Sequence, residues 1–116
     1  MRNPLYQPDR GDLIWLDFTP FAGTEQSGRR PALVLSPLSF NVATGLAFVC
    51  PVTSKGTGGS FEVPLPPGAG LTGFVLSDHL RSLDWVARNA AFAGKADQDL
   101  MWKVFGRIEA VLGIET

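Results

Sequence analysis

Two kinds of side chain are nearly missing from the 116 residues: there is one cysteine, Cys50, and one histidine, His79. A lone cysteine excludes an intramolecular disulfide, and beside a lone histidine it excludes a zinc site assembled from paired cysteines and histidines. No resident metal and no cofactor are expected, and a reducing compartment suits the chain. A single histidine also excludes acid–base chemistry shared between two imidazoles. No apolar run approaches the ~20 residues of a membrane span, and residues 1–8 lack the apolar stretch of a secretion signal. A cytoplasmic protein with no membrane association is expected. Charge is sparse too: Lys and Arg number 10 against 11 Asp and Glu, a net charge of −1. The overall basic excess common in nucleic-acid binders is therefore absent. A short phosphate groove needs only a few cations clustered on one face, so composition does not exclude such a ligand.

What the chain has is apolar surface, with 45% hydrophobic residues, enough to offset the ordering entropy of a folded domain. Its length fits a single domain over residues 1–116. The run Leu13 to Phe18 reads as a first strand, stopped by Pro20, and the polar stretch from Pro20 to Pro31 as a loop. Ala32 to Ser36 and Leu46 to Cys50 are continuous apolar runs of strand length, with turn residues from Asn41 to Gly45 between them. Lys55 to Ser60 reads as a flexible glycine-rich connection. Phe61 to Leu65 follows as a strand near a sheet edge, because Pro64 cannot donate a ladder hydrogen bond. Pro66 to Gly70 makes a turn before a fifth strand at Gly73 to Ser77. Short strands punctuated by Pro/Gly turns predict a small, strongly bent barrel. At the end of the chain Leu100, Met101, Val104, Phe105, Ile108 and Leu112 recur at helical spacing, with Asp97 placed as N-cap. The fold class is thus mainly β with α, closed by one C-terminal amphipathic helix. Gly106 inside that helix predicts close packing against the barrel, to offset its cost of roughly 1 kcal/mol.

Polar groups beside strand ends are the candidates for chemistry: Glu25, Arg29 and Arg30 before the second strand, Thr53 after the third, Asp78, His79 and Arg81 after the fifth. Adjacent arginines suit a phosphate, because a guanidinium offers planar paired donors and stays charged at any working pH; a solvated surface pair is the alternative. His79, with a reference pKa near ~6.5 for its type, is the one side chain able to exchange protons at neutral pH without heavy tuning; a hydrogen-bonded structural role is its alternative. Neither Ser36 nor Ser77 sits in a G-x-S-x-G elbow, which sets acyl transfer aside, and the Lys55–Ser60 glycines lack the order of a nucleotide-binding P-loop. Trp15, Trp85 and Trp102 either pack in the core or, if exposed, stack a base.

Two blocks carry a resemblance. Tyr6-x-Pro8-Asp9-x-Gly11-Asp12-Leu13-Ile14-Trp15-x-Asp17-Phe18 and Gly23-x-Glu25-Gln26-x-Gly28-x-Arg30-Pro31-Ala32-x-Val34-Leu35-Ser36, at this separation, resemble the opening of MazF/PemK toxins. The likeness continues through Asn41, Thr44-Gly45, Cys50-Pro51-Val52-Thr53, Phe61-Glu62-Val63, Asp78 to Ser82 and Trp85 to Arg88, and so covers residues 6–113. It implies an SH3-like barrel of about five to seven strands with a C-terminal helix, usually a two-fold homodimer. It implies a sequence-specific endoribonuclease cutting single-stranded RNA, with a cognate MazE-like antitoxin as partner and operator DNA bound only through the antitoxin complex. By position, the family's catalytic residues fall on Arg30 and Thr53, with Glu25 as a third. His79 departs from the family, where glutamine is frequent, so its proton-transfer role rests on this sequence only. Lys55, Arg81 and Arg88, with Arg29, are the cations for the RNA backbone.

The chemistry implied needs no metal in principle. RNA supplies its own nucleophile in the 2′-hydroxyl, so cleavage requires in-line positioning, removal of one proton, stabilisation of the phosphorane and protonation of the departing 5′-oxygen. Two other readings share the fold: a CcdB-like poison of DNA gyrase, and a catalytically silent domain that only binds nucleic acid or an antitoxin.

Overall fold

The computed structural model describes residues 6–18 and 28–114. In chain order these form β1 (Asp12–Phe18), β2 (Gly28–Val34), α1 (Leu38–Thr44), β3 (Leu46–Thr53), β4 (Glu62–Pro64), β5 (Phe74–Leu76), β6 (Arg81–Asp84), β7 (Ala91–Lys95) and α2 (Gln98–Leu112). All strand pairs are antiparallel, along the path β4-β5-β3-β2-β1-β7. β3 is the branch point: its first half pairs with β6 and its last two residues, Val52 and Thr53, pair with β5. The expected barrel-like architecture with a closing helix is present, with seven strands among the described residues, the upper end of the five to seven expected. The ring is not closed by a ladder between β4 and β7. The turn after β4 spans the gap instead, with Lys95 donating its backbone N–H to Ala69 O at 3.2 Å. The approach is so close that a Cβ on Gly94 would sit 2.0 Å from Ala69 O, so a residue without a side chain is required there.

Strand alternation explains why β1 to β3 are apolar almost throughout. Successive residues point to opposite faces, and both faces are covered. Leu13, Leu33, Cys50, Val52, Val63 and Val75 form one cluster beneath Leu100, Val104 and Ile108 of α2. Ile14, Leu16, Phe18, Ala32, Val34 and Val49 belong to a second cluster on the other face, packed against Tyr6 and Trp85. Each fully buried Leu or Ile contributes about 1.5–3 kcal/mol relative to exposure. Asp97 caps α2 as expected, accepting from Leu100 N at 2.8 Å. The buried stripe is narrower than the sequence spacing implies, since Leu112 is exposed.

Three expectations are corrected. Arg29 and Arg30 do not lie in a loop: β2 begins at Gly28, and both arginines pair with β1, at Asp17 and Leu16. Exposed polar residues hide a strand from any hydrophobic pattern, while the backbone ladder forms regardless. The Asn41–Gly45 stretch is not a turn but the body of α1, which no side chain caps at its N-terminus. Tertiary contacts hold it: fully buried Asn41 donates through Nδ2 to Pro8 O (2.8 Å) and Ser36 O (3.0 Å), accepts from the Ser36 hydroxyl, and offers its carbonyl to the Trp85 indole at 3.0 Å. Gly106 is not packed closely; it is exposed, and a Cβ there would meet nothing within 4 Å. Among the described residues no helix is long and apolar enough to cross a membrane.

Candidate active site

A cleft of about 390 Å³ opens at the end of β3, lined among others by Thr53, Lys55, Phe61, Glu62, Asp78 and His79. Four of the residues singled out from sequence, Thr53, Lys55, Asp78 and His79, thus come together although they are spread over 27 positions of the chain. Thr53 is half-buried, and its position is tightly framed. It pairs with Phe74 of β5, and Gly73 passes so near that a Cβ there would lie 2.4 Å from Thr53 O. Its hydroxyl oxygen accepts from Lys55 N–H at 3.3 Å. His79 and Asp78 also line the cleft, with Nε2 and Oδ1 3.8 Å apart and both side chains about two-fifths exposed.

Arg30 approaches from the neighbouring strand. The β2–β3 ladder pairs Val34 with Val49, Leu33 with Cys50 and Ala32 with Pro51 and ends there; the same register extended by two residues would place Arg30 opposite Thr53. The hydrogen bonds stop short there because Pro31 has no N–H to offer Val52 O. The faces agree as well. Arg30 is paired with Leu16, a member of the Phe18 cluster, and alternation along β3 carries Thr53 to the same side as Val49 of that cluster. Arg81 joins them, paired with Val49 and with its guanidinium carbon 5.4 Å from the Phe18 ring centroid. Two guanidinium groups and one hydroxyl therefore issue from a single side of the β1–β2–β3 sheet.

Arg29 and Arg88 lie elsewhere. Arg29 forms an ion pair with Asp17 at 2.8 Å and donates to Asn89 O, while Arg88 donates to Asp17 O at 3.0 Å. These contacts lock the end of β1 to the turn after β6; none of Arg29, Arg30, Arg81 and Arg88 is among the described residues lining the cleft. The Asn89 amide, and next the Arg29 guanidinium, hold the Asp17 carboxyl below the usual carboxylate range. Glu25 falls outside the described residues. Among the described residues no three His, Cys, Asp or Glu side chains gather to hold a metal. Cys50 is buried behind the cleft, and burial, aided by Asp78, pushes its thiol pKa up to about 12. Of the tryptophans, Trp15 and Trp85 are half-buried, whereas Trp102 stands 71% exposed on α2.

Sequence reasoning left one participant unassigned. The Lys55–Ser60 segment, read as a flexible connection, is held by Glu62: Thr57 N–H donates to Oε1 at 2.9 Å, the Thr57 hydroxyl to Oε2 at 2.7 Å, and Gly58 N–H to Oε1 at 3.1 Å. Only the pairing of a glycine-rich loop with a carboxylate one strand away hinted at it.

Comparisons with known proteins place the chain in a family. Residues 9–112 match the family described as PemK-like, MazF-like toxin of type II toxin-antitoxin system. The chain is 41% identical over 108 residues to the endoribonuclease toxin MazF of Escherichia coli, covering 93% of this chain and 96% of that one. Its fold matches the crystal structure of MazF from Deinococcus radiodurans with a TM-score of 0.88 at 53% identity, covering 94% of this chain and 99% of that one. A MazE–MazF complex from the same organism matches with a TM-score of 0.84 at 48% identity, covering 95% and 99%. The chain belongs to the MazF/PemK family of toxins from type II toxin–antitoxin systems.

Proposed function

We propose that the protein is an endoribonuclease toxin that cuts single-stranded RNA at short sequences without a metal ion, leaving a 2′,3′-cyclic phosphate and a 5′-hydroxyl. The observation that carries this reading is the cleft at the end of β3, where Thr53, Lys55 and His79 gather, with Arg30 on the neighbouring strand β2. Relatives over nearly the full chain are named endoribonucleases, which supports the reaction class.

Arg30 neutralises charge on the phosphate oxygens as the phosphorane forms, a preorganised stabilisation that is commonly the largest catalytic contribution. The Thr53 hydroxyl donates to the same phosphate and fixes it for in-line attack by the 2′-oxygen. An arginine stays protonated and is a poor base, so the proton shuttle falls to Glu25 or to His79, whose imidazole stands in the cleft beside Asp78. Lys55 and Arg81 follow the RNA backbone. Arg29 and Arg88 would join that groove only by giving up Asp17, so they rank behind them. DNA has no 2′-hydroxyl and would not be cut.

A cognate MazE-like antitoxin is the proposed inhibitor, in line with the MazE–MazF complex of a relative, and operator DNA would be met only through that complex. A homodimer in the cytoplasm is the proposed state; the exposed apolar side chains of Leu46, Phe48 and Leu80 supply surface for it.

The test is cleavage of a single-stranded RNA in EDTA with end-group analysis. Arg30→Ala and Thr53→Val should each lower kcat by about 10²–10³-fold in a folded protein, and His79→Gln should alter the pH profile if the imidazole carries a proton. A requirement for added magnesium, or a 5′-phosphate product, would overturn the mechanism.

A further inference from the structure

Glu62 lines the cleft from the edge strand β4, and its carboxylate faces the loop rather than the core. The ladder of β4 uses backbone groups alone, pairing Glu62 with Leu76, so the side chain is not needed to hold the strand. It gathers instead the Thr57 N–H, the Thr57 hydroxyl and the Gly58 N–H within 2.7–3.1 Å. Lys55-Gly56-Thr57-Gly58-Gly59-Ser60 contains three glycines in six residues, the composition with the most conformational freedom to lose. Its second half is also held by Gly59 O, which accepts from Glu62 N–H at 3.2 Å. At one end Gly56 lies against the Phe74 ring, with a Cβ there 2.8 Å from the ring, and at the other Arg107 of α2 donates to Ser60 O at 3.2 Å.

The loop begins at the residue that aims Thr53. Lys55 N–H donates to Thr53 Oγ1 at 3.3 Å, so the direction of that hydroxyl depends on where the backbone at Lys55 lies, and the Lys55 side chain enters the cleft from the same point. We infer that Glu62 is a positioning residue: by clamping Thr57 and Gly58 it fixes the loop, and through the loop it sets the Thr53 hydroxyl and the Lys55 ammonium for the RNA phosphate. This rests on the proposed roles of Thr53 and Lys55. The Glu62 carboxyl is held below its ordinary range, by the Thr57 hydroxyl first and then by the backbone N–H groups of Thr57 to Gly59, in keeping with a carboxylate required in its charged form.

Glu62→Gln tests it, because the amide keeps the shape but turns an NH2 toward N–H donors. Misplacement on the scale of 1 Å costs about 10²-fold in rate, so kcat on a short RNA with one cut site should fall by about 10–100-fold. The unfolding midpoint should stay close to wild type, and hydrogen exchange at the Thr57 and Gly58 amides should accelerate. Thr57→Val, which removes only the hydroxyl contact, should give a smaller fall in kcat with a correspondingly smaller acceleration at Gly58. If wild type cuts RNA and Glu62→Gln cuts it with unchanged kcat and KM, the role of Glu62 is refuted while the nuclease reading stands. If wild type does not cut at all, the nuclease reading has failed, and the proposal fails with it.

Discussion

Two glycine-to-alanine substitutions should move stability in opposite directions, for reasons that only the packing reveals. Gly106 lies inside α2, where glycine costs about 0.8–1.0 kcal/mol relative to alanine, and a Cβ there meets nothing within 4 Å. No steric penalty offsets the gain, so Gly106→Ala should stabilise by close to 1 kcal/mol and raise the unfolding midpoint by roughly 4 °C. At Gly94 a Cβ would stand 2.0 Å from Ala69 O and 3.3 Å from the Gly70 Cα. Both obstacles are backbone, so the turn must retreat by about 1 Å or more to restore an ordinary contact. That strain costs about 1–3 kcal/mol, and loss of the Lys95 N–H to Ala69 O bond adds about 1 kcal/mol. Gly94→Ala should therefore destabilise by about 2–4 kcal/mol and lower the midpoint by roughly 8–16 °C. Thermal and urea unfolding followed by circular dichroism read both, with unchanged urea slopes as the check on two-state behaviour. A neutral Gly94→Ala would refute the closure of the barrel through the turn at Ala69, and a destabilised Gly106→Ala would refute the open outer face of α2.

Asp17 gives a pH test. Its folded pKa is depressed, by Asn89 first and then Arg29, so its contribution is present above the ordinary carboxylate range near ~4 and is lost as pH falls through the lower folded value. The urea midpoints of wild type and Asp17→Asn should accordingly differ at neutral pH and converge in acid; a gap that stays constant down to about pH 2 would contradict the clasp. Cys50, with its thiol pushed up to about 12 and buried, should resist a thiol reagent at pH 8 in the native protein and react fully once unfolded. Rapid native labelling would contradict its place behind the cleft.

Local pattern alone carried the apolar strands β1, β3 and β5, the edge position of β4 beside Pro64, and α2 with its Asp97 cap. These are elements whose own residues announce their period. The first half of β2 was illegible because Arg29 and Arg30 are exposed, and its pairing is made by a backbone that every sequence shares. α1 was illegible because a buried asparagine and distant carbonyls sustain it, not helix-forming residues or a cap. The site divides in the same way. Arg30, Thr53, Lys55 and His79 were recognisable as residue types suited to a phosphate and a proton. Which of them stand together was not.

Sequence by itself determined the periodicities, the shortage of cysteine and histidine, and the family blocks, because each is a property of neighbouring residues in the chain. Tertiary structure decided the rest: the cleft that gathers Thr53, Lys55 and His79, the withdrawal of Arg29 and Arg88 to Asp17, and the hold of Glu62 on a glycine-rich loop. Those outcomes depend on distances between residues far apart along the chain, and such distances exist only once the strands have paired.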